Sequence, residues 1–187
     1  MRLLLATHNA HKLRELRELL EPCIALDPLP NQVELPPETG ETFAANALGK
    51  ARAASAACGR PAIADDSGIE AAALGGAPGI FSARFAGQTA SDGENLAKLR
   101  ALAPPGSALE YVCVIAWVDA TSEHLFEGRC TGTLLSGRPR GSGGFGYDPA
   151  FLPDDGPPGL TMAELSAAAK HQISHRGRAA RKLLAWI

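Results

Sequence analysis

The segment "LEYVCVIAWVDATSEHLFEGRCTGTLL", residues 109 to 135, limits the fold more than any other stretch of this chain. Two long apolar-rich runs flank the turn-forming "DATS", which predicts two strands joined as a β-hairpin. The sheet must therefore contain an antiparallel pair. The remaining elements alternate between helix and strand. "RLLLA" at residues 2 to 6 is a short buried strand, and "AHKLRELRELLE" follows as a helix with Leu13, Leu16 and Leu20 at helical spacing. Residues 22 to 40 are rich in proline and read as a connecting loop. "GETFAANALGKARAASAAC" is a second helix, stopped by Gly59 and Pro61, and "PAIA" is a strand with two aspartates at its C-terminal end.

Farther on, "ALGGAPGIFSARFAGQTA" reads as an irregular loop, and Ser91 with Glu94 forms a capping box opening "DGENLAKLRALA". Thr161 with Glu164 repeats that pattern, and Ser174 caps the closing helix "HRGRAARKLLAWI". The order of elements specifies an α/β chain built around one sheet. At 187 residues, without repeats or a low-complexity linker, a single domain over residues 1 to 187 is expected.

A net charge of -2 gives no general attraction to nucleic acid or to an anionic membrane, so a polyanion must be met by a local cluster. The apolar start "MRLLLATHN" is too short for a signal peptide, and no segment reaches the length of a membrane span. Cys23, Cys58, Cys113 and Cys130 are widely spaced and read as reduced, mostly buried thiols, consistent with the cytoplasm.

Four stretches carry residues suited to chemistry. "THNAHK", between the first strand and its helix, offers helix-start N–H groups and the Lys12 ammonium to an anion, although Thr7 or Asn9 also serves as a simple cap. "ADDSG" supplies carboxylates for a divalent cation or a water and a hydroxyl for a phosphate oxygen, yet the same residues make a good turn. Glu41, opening the second helix, reads either as a dipole-favoured helix start or as a second metal ligand. Asn46 and Lys50 lie one turn apart, spaced to reach a ligand together, although a solvated helix face is the favoured reading.

Around "RGSGGFGYDP" five glycines within residues 137 to 146 lower local stability, so a close backbone approach is expected to offset them. Phe145 and Tyr147 suit stacking on a flat ring, and Asp148 suits ring N–H donors. Packing of these aromatics on the core is the alternative. The stretch from Lys170 to Lys182 contains no acid, and Lys170, His175 and Arg176 are placed to donate to an anion or a carbonyl. One ligand uses all four stretches at once: a nucleoside triphosphate with Mg²⁺. No Walker, kinase or Rossmann fingerprint is present.

These motifs, taken in order, resemble the inosine/xanthosine triphosphate pyrophosphatases. The likeness rests on "THNAHK", "GETFAANALGKA", "ADDSGIEAAALGGAPGIFSARFAG", "GSGGFGYDPAF" and "ISHRG", and it covers nearly the whole chain. It implies hydrolysis of ITP, dITP and XTP to the monophosphate and pyrophosphate. It also implies an elongated, twisted mixed sheet flanked by helices, two lobes with a nucleotide cleft between them, and a homodimer. By the same resemblance Thr7, Asn9 and Lys12 meet the phosphates, His8, Ala10 and His11 beside them bind substrate, and Asp66 is catalytic and, with Glu41, holds Mg²⁺. Ser67, Phe145, Gly146, Tyr147, Asp148, Lys170, His175 and Arg176 line the substrate site. The chain departs from the pattern at Ala167, Ala168 and Ala169, where the family has an acidic run, and at His171, where it has Asn. Two alternatives stand beside this reading: a housekeeping pyrophosphatase for modified pyrimidine nucleotides, and a nucleotide sensor that does not hydrolyse.

Overall fold

The computed structural model describes residues 1–21 and 23–187. Its strands are β1 (Arg2–Leu5), β2 (Ala25–Pro28), β3 (Ala62–Ala71), β4 (Ala108–Val118), β5 (Glu123–Leu134) and β6 (Phe151–Pro153). Its helices are α1 (Ala10–Leu20), α2 (Phe43–Cys58), α3 (Asp92–Leu102), α4 (Ala167–Ile173) and α5 (His175–Trp186). The six strands form a mixed sheet in the order β2-β1-β3-β4-β5-β6. Among the described residues no helix is long and apolar enough to cross a membrane, and the cysteines form no disulfide.

The chain divides into two compact units. The first comprises Met1–Asp66, Cys113–Gly128 and Arg178–Ile187. In it β1 pairs in parallel with β2, Arg2 opposite Ala25, and with β3, Leu4 opposite Ala62. Parallel neighbours need crossover connections, which α1 and α2 supply. The helical spacing of Leu16 and Leu20 on α1 buries both against Leu3, Leu5 and Ile63, and Ala179, Ala180 and Leu183 of α5 close the same cluster. Gly59 ends α2 in the left-handed conformation (φ 63°), where a residue without Cβ avoids the steric cost.

The second unit comprises Ser67–Val112 and Arg129–Gly177. Here β5 and β6 pair antiparallel, Gly132 opposite Pro153. Ile69, Leu96, Leu99, Tyr111, Tyr147, Phe151 and Met162 form the core. The capping box at the start of α3 is made in full by Ser91 and Glu94, and Ser174 Oγ accepts the Gly177 N–H.

Three expectations from the sequence are corrected. The loop assigned to residues 22 to 40 contains β2, an edge strand short enough for flanking prolines to mask; residue 22 itself lies outside the described residues. β3 does not stop at the two aspartates but continues through Ser67 and Gly68 to Ala71, so "ADDSG" is strand rather than turn. The stretch after it holds short 3-10 turns at Ala72–Leu74 and Gly79–Arg84. The capping box expected of Thr161 and Glu164 is present and encloses a single 3-10 turn, and α4 starts later on a Ser166 cap.

The α3 capping box is a local device, separable from everything else in its unit. Ser91→Ala should cost about 1 kcal/mol, lowering the urea midpoint without altering the m-value, as a denaturation curve would show.

Candidate active site

A β-strand sends consecutive side chains to opposite faces. In β3 this separates Asp65 from Asp66. Asp65, only 1% exposed, faces Lys12 of α1, whose Nζ lies 3.3 Å from its Oδ2, and the Cys113 Sγ stands 4.0 Å from the same oxygen. Asp66, 4% exposed, faces α2: Asn46 Nδ2 donates to its Oδ2 at 3.1 Å and Lys50 Nζ to its Oδ1 at 3.3 Å. Each acid thus has its own lysine, which answers the repulsion that two adjacent anions would otherwise suffer.

Lys50 Nζ also donates to Glu38 Oε1 at 2.5 Å, which draws a third acid toward Asp66. Asn46 sets this arrangement from both ends, because its Oδ1 accepts the Gly40 N–H at 2.8 Å, two residues after Glu38. Gly40 has no room for a side chain, since a Cβ there would press on Asn46 Oδ1 and Ala45 Cβ. Burial raises the Asp66 pKa above its ordinary 3.8; the charges of Lys50 and Lys12 and the Asn46 donor offset this only in part, and Glu38 adds to the rise. Burial opposes the Lys50 charge, but Asp66, Asp65 and Glu38 together outweigh it and leave its pKa raised.

Asn46 and Lys50 therefore occupy a buried face of α2, not the solvated face their spacing suggested. Glu41 does not open the helix. Thr42 takes the N-cap of α2, which leaves Glu41 exposed outside the helix, and Glu38 is the acid that acts on Asp66. Nothing in the sequence pattern singled out Glu38, which sits in a proline-rich loop and reaches the site only because that loop folds back onto Asn46. Among the described residues no three His, Cys, Asp or Glu side chains gather into a metal-holding group. The donor chemistry nonetheless suits Mg²⁺, a hard cation commonly held by one or two carboxylates, with water and phosphate oxygens completing its shell. Asp66 and Glu38, which share the Lys50 ammonium, are two carboxylates of that kind.

The loop before α1 is organised by its own side chains. Thr7 Oγ1 accepts the Asn9 N–H, and Asn9 Oδ1 caps the helix by accepting the N–H groups of His11 and Lys12. His8, Asn9, Ala10 and His11 are exposed, while Lys12 turns inward to Asp65. Elsewhere in the first unit a cavity of ≈ 580 Å³ is lined by residues including Arg52, Ser55, Gly59, Asp119 and Thr121. Its charged groups are already engaged, Arg52 with Glu123 and Asp119 with Thr121 and Ser122, and none of the motif residues lines it.

The second unit gathers the other motif residues around Asp148. Its Oδ2 accepts the Lys170 ammonium at 2.7 Å and the Phe145 N–H at 2.9 Å, and its Oδ1 accepts the Tyr111 hydroxyl at 3.0 Å. The Lys170 and Arg176 cations stand over the Phe145 ring at 5.4 and 5.6 Å. Arg176, 1% exposed, donates to Ser67 Oγ at 2.9 Å, and the His175 ring stacks on Tyr111. Lys170, His175 and Arg176 are all buried, and a buried cation is retained only where partners offset its desolvation.

Tyr147 departs from the expected stacking role. Its ring is in the core and its hydroxyl donates to the Ser82 carbonyl at 2.7 Å, with burial raising its pKa. Tyr111 was not foreseen, because in sequence it is one apolar-run residue among many. The glycines have a purpose that the sequence left open. At Gly144 (φ +72°) a Cβ would run into Asp148 Oδ2 and Lys170 Nζ, so the close approach there is to the chain's own ion pair.

The profile of the Ham1 family matches residues 3–186. The chain belongs to the Ham1 family. This Ham1-family chain is 47% identical to a dITP/XTP pyrophosphatase of Deinococcus radiodurans, over 98% of its own length and 92% of the relative's. It is 45% identical to a dITP/XTP pyrophosphatase of Mycolicibacterium paratuberculosis, over 97% and 93%. A HAM1 protein from Coxiella burnetii has a similar structure, with a TM-score of 0.85 at 39% identity, covering 100% of this chain and 98% of that one. The Ham1 protein of Staphylococcus aureus superposes with a TM-score of 0.82 at 36% identity, over 100% and 97%.

Two glycines of the same loop separate backbone strain from contact. Gly146 also has positive φ (65°), but open space surrounds its Cβ position. Alanine at Gly146 should cost about 1–2 kcal/mol from conformation alone. Alanine at Gly144 should cost more, by displacing Asp148 and Lys170. Thermal denaturation of the two variants would check the order.

Proposed function

We propose that this Ham1-family chain hydrolyses non-standard purine nucleoside triphosphates, ITP, dITP and XTP, to the monophosphate and pyrophosphate, with Mg²⁺ as its cofactor. The observation that carries this reading is Asp66: a buried acid with a raised pKa, surrounded by Lys50, Asn46 and Glu38. Support also comes from relatives of nearly full coverage that bear the name dITP/XTP pyrophosphatase. The reading further has residues 1 to 187 work as one functional domain, in a cytoplasmic homodimer, on a small-molecule substrate and not on nucleic acid or membrane.

In this mechanism Asp66 orients a water and takes its proton as the water attacks the α-phosphorus, and pyrophosphate leaves. No covalent enzyme intermediate is needed, since phosphoryl transfer depends on positioning and charge neutralisation. Asp66 and Glu38, in place of the expected Glu41, hold Mg²⁺. The metal, when bound, supplies positive charge to the phosphate oxygens. Lys12, braced by Asp65, and the loop from Thr7 to His11 meet the phosphates, and Lys50 holds Asp66 and Glu38 in register while moderating their mutual repulsion.

The second unit reads the base. Hypoxanthine and xanthine present a 6-oxo acceptor where adenine has an amino donor. The guanidinium of Arg176, which carries five N–H donors and gives one to Ser67, matches the oxo group and opposes the amine. Phe145 covers the ring, with Lys170 and His175 beside it.

A substrate panel tests the reading. Wild type given ITP, XTP, GTP, ATP, CTP and UTP, with and without Mg²⁺, should release pyrophosphate from ITP and XTP and depend on the metal. Asp66→Asn should reduce turnover by roughly a thousandfold, a loss typical of removing a catalytic acid or base, while a nucleotide still binds in calorimetry. Pyrophosphate from pyrimidine nucleotides alone, or near-normal turnover of the variant, would sink the proposal.

The pH dependence follows from the raised pKa of Asp66. Activity requires the ionised carboxylate, so it is present above the folded-state pKa and lost as pH falls through it. That limb should lie above the ordinary 3.8. Ionisation of this buried acid costs stability as pH rises between those two values, because the folded state there holds more protons than the unfolded chain. Raising Mg²⁺ should displace the limb toward lower pH in a rate profile.

A further inference from the structure

We propose that Tyr111 is a positioning residue that sets base selectivity by fixing Asp148 and His175 together; the inference rests on the base-reading role given above to Lys170, His175 and Arg176. Tyr111 lies on β4, is 6% exposed, and belongs to none of the motifs that suggested a function. Its hydroxyl donates to Asp148 Oδ1 at 3.0 Å. The other carboxylate oxygen is taken by Lys170 Nζ and the Phe145 N–H. A carboxylate held at both oxygens cannot rotate about its Cβ–Cγ bond without breaking a charge-assisted hydrogen bond. Tyr111 therefore fixes the plane in which Asp148 presents its other oxygen to Lys170.

The ring of Tyr111 acts separately from its hydroxyl. It lies parallel to the His175 imidazole, 4.5 Å between centroids and 5° between planes. The ring of Phe151, fully buried, braces it at 4.7 Å and a 51° tilt. A side chain seated this way has one orientation, and it passes that orientation to the imidazole by stacking and to the ammonium through a carboxylate. Lys170 in turn stands over the Phe145 ring beside Arg176. One buried tyrosine thus sets two of the groups assigned to the purine. A hydroxyl that served packing alone would need only some acceptor; this one uses the same carboxylate that holds Lys170.

The assigned groups meet the base and not the reacting phosphorus, so disturbing them should weaken substrate binding more than the chemical step. Tyr111→Phe keeps the stacked ring and deletes the hydroxyl that bonds to Asp148. KM for ITP should rise roughly tenfold, the size expected for a lost hydrogen bond to a charged group. The kcat should stay within about twofold, and the preference for ITP over ATP should fall. Tyr111→Leu removes stacking as well and should cost more on both counts. In an Asp148→Asn background the Phe substitution should add little, because neighbouring residues acting through one another are not additive.

A purely structural Tyr111 would behave differently: Tyr111→Phe would melt at a lower temperature with KM and the ITP preference unchanged, and that result overturns the proposal. If Tyr111→Phe does not fold, Asp148→Asn alone must raise KM and lower the preference, and an unchanged preference there also overturns it. Wild type in the same assay separates the two levels of inference. Absence of pyrophosphate release from ITP and XTP by wild type would fail the base-reading assignment and this proposal with it, whereas normal release with an unchanged Tyr111→Phe fails this proposal alone.

Discussion

The alternation of side chains along β3 is the constraint on which the site depends. Asp65 and Asp66 are adjacent in the chain and both almost fully buried, a pairing that costs several kcal/mol unless each charge is separately met. The strand turns them to opposite faces, toward α1 and α2, and each helix provides a lysine. The first helix of the chain thereby acquires a fixed cation at Lys12. The second helix becomes a scaffold that holds Asp66, Lys50 and, through Asn46 and Gly40, the loop bearing Glu38. Desolvation still exceeds the attraction at Asp66, and the acid is left with a raised pKa, the state expected of a group kept for chemistry rather than for stability.

The second unit follows the same logic with one acid at its centre. Asp148 receives an ammonium, a phenol and a backbone N–H, so its charge is distributed among three donors from β4, α4 and the glycine-rich loop. The loop pays for its glycines in conformational entropy because a side chain at Gly144 would occupy the space of that ion pair. Rigid cations over the Phe145 ring are the outcome.

Much of the framework was legible in the residues. Leu13, Leu16 and Leu20 marked α1, the apolar run from Tyr111 to Val118 marked β4, and Ser91 with Glu94 marked the start of α3, since each is a local pattern with a local cause. β2 was hidden because four residues beside prolines carry too little period to read. At the site, Asp66, Lys12 and the stretch from Phe145 to Arg176 were visible as chemistry-bearing motifs, and for Tyr147 stacking and core packing stayed open, because an aromatic beside a glycine does not reveal which way it points. Its hydroxyl bonds to Ser82, 65 residues away in the chain.

Sequence patterns alone determined the periodic helices and strands, the caps and the inventory of charged groups, because these depend on neighbours within a few positions. Only the tertiary structure showed that Glu38 joins Asp66 through the Lys50 ammonium, while Glu41 lies exposed outside α2. Only the fold showed that "ADDSG" is strand, and that Tyr111 holds Asp148. Such choices depend on contacts between residues distant in the chain, where burial cost and charge pairing are settled by packing and leave no periodic trace.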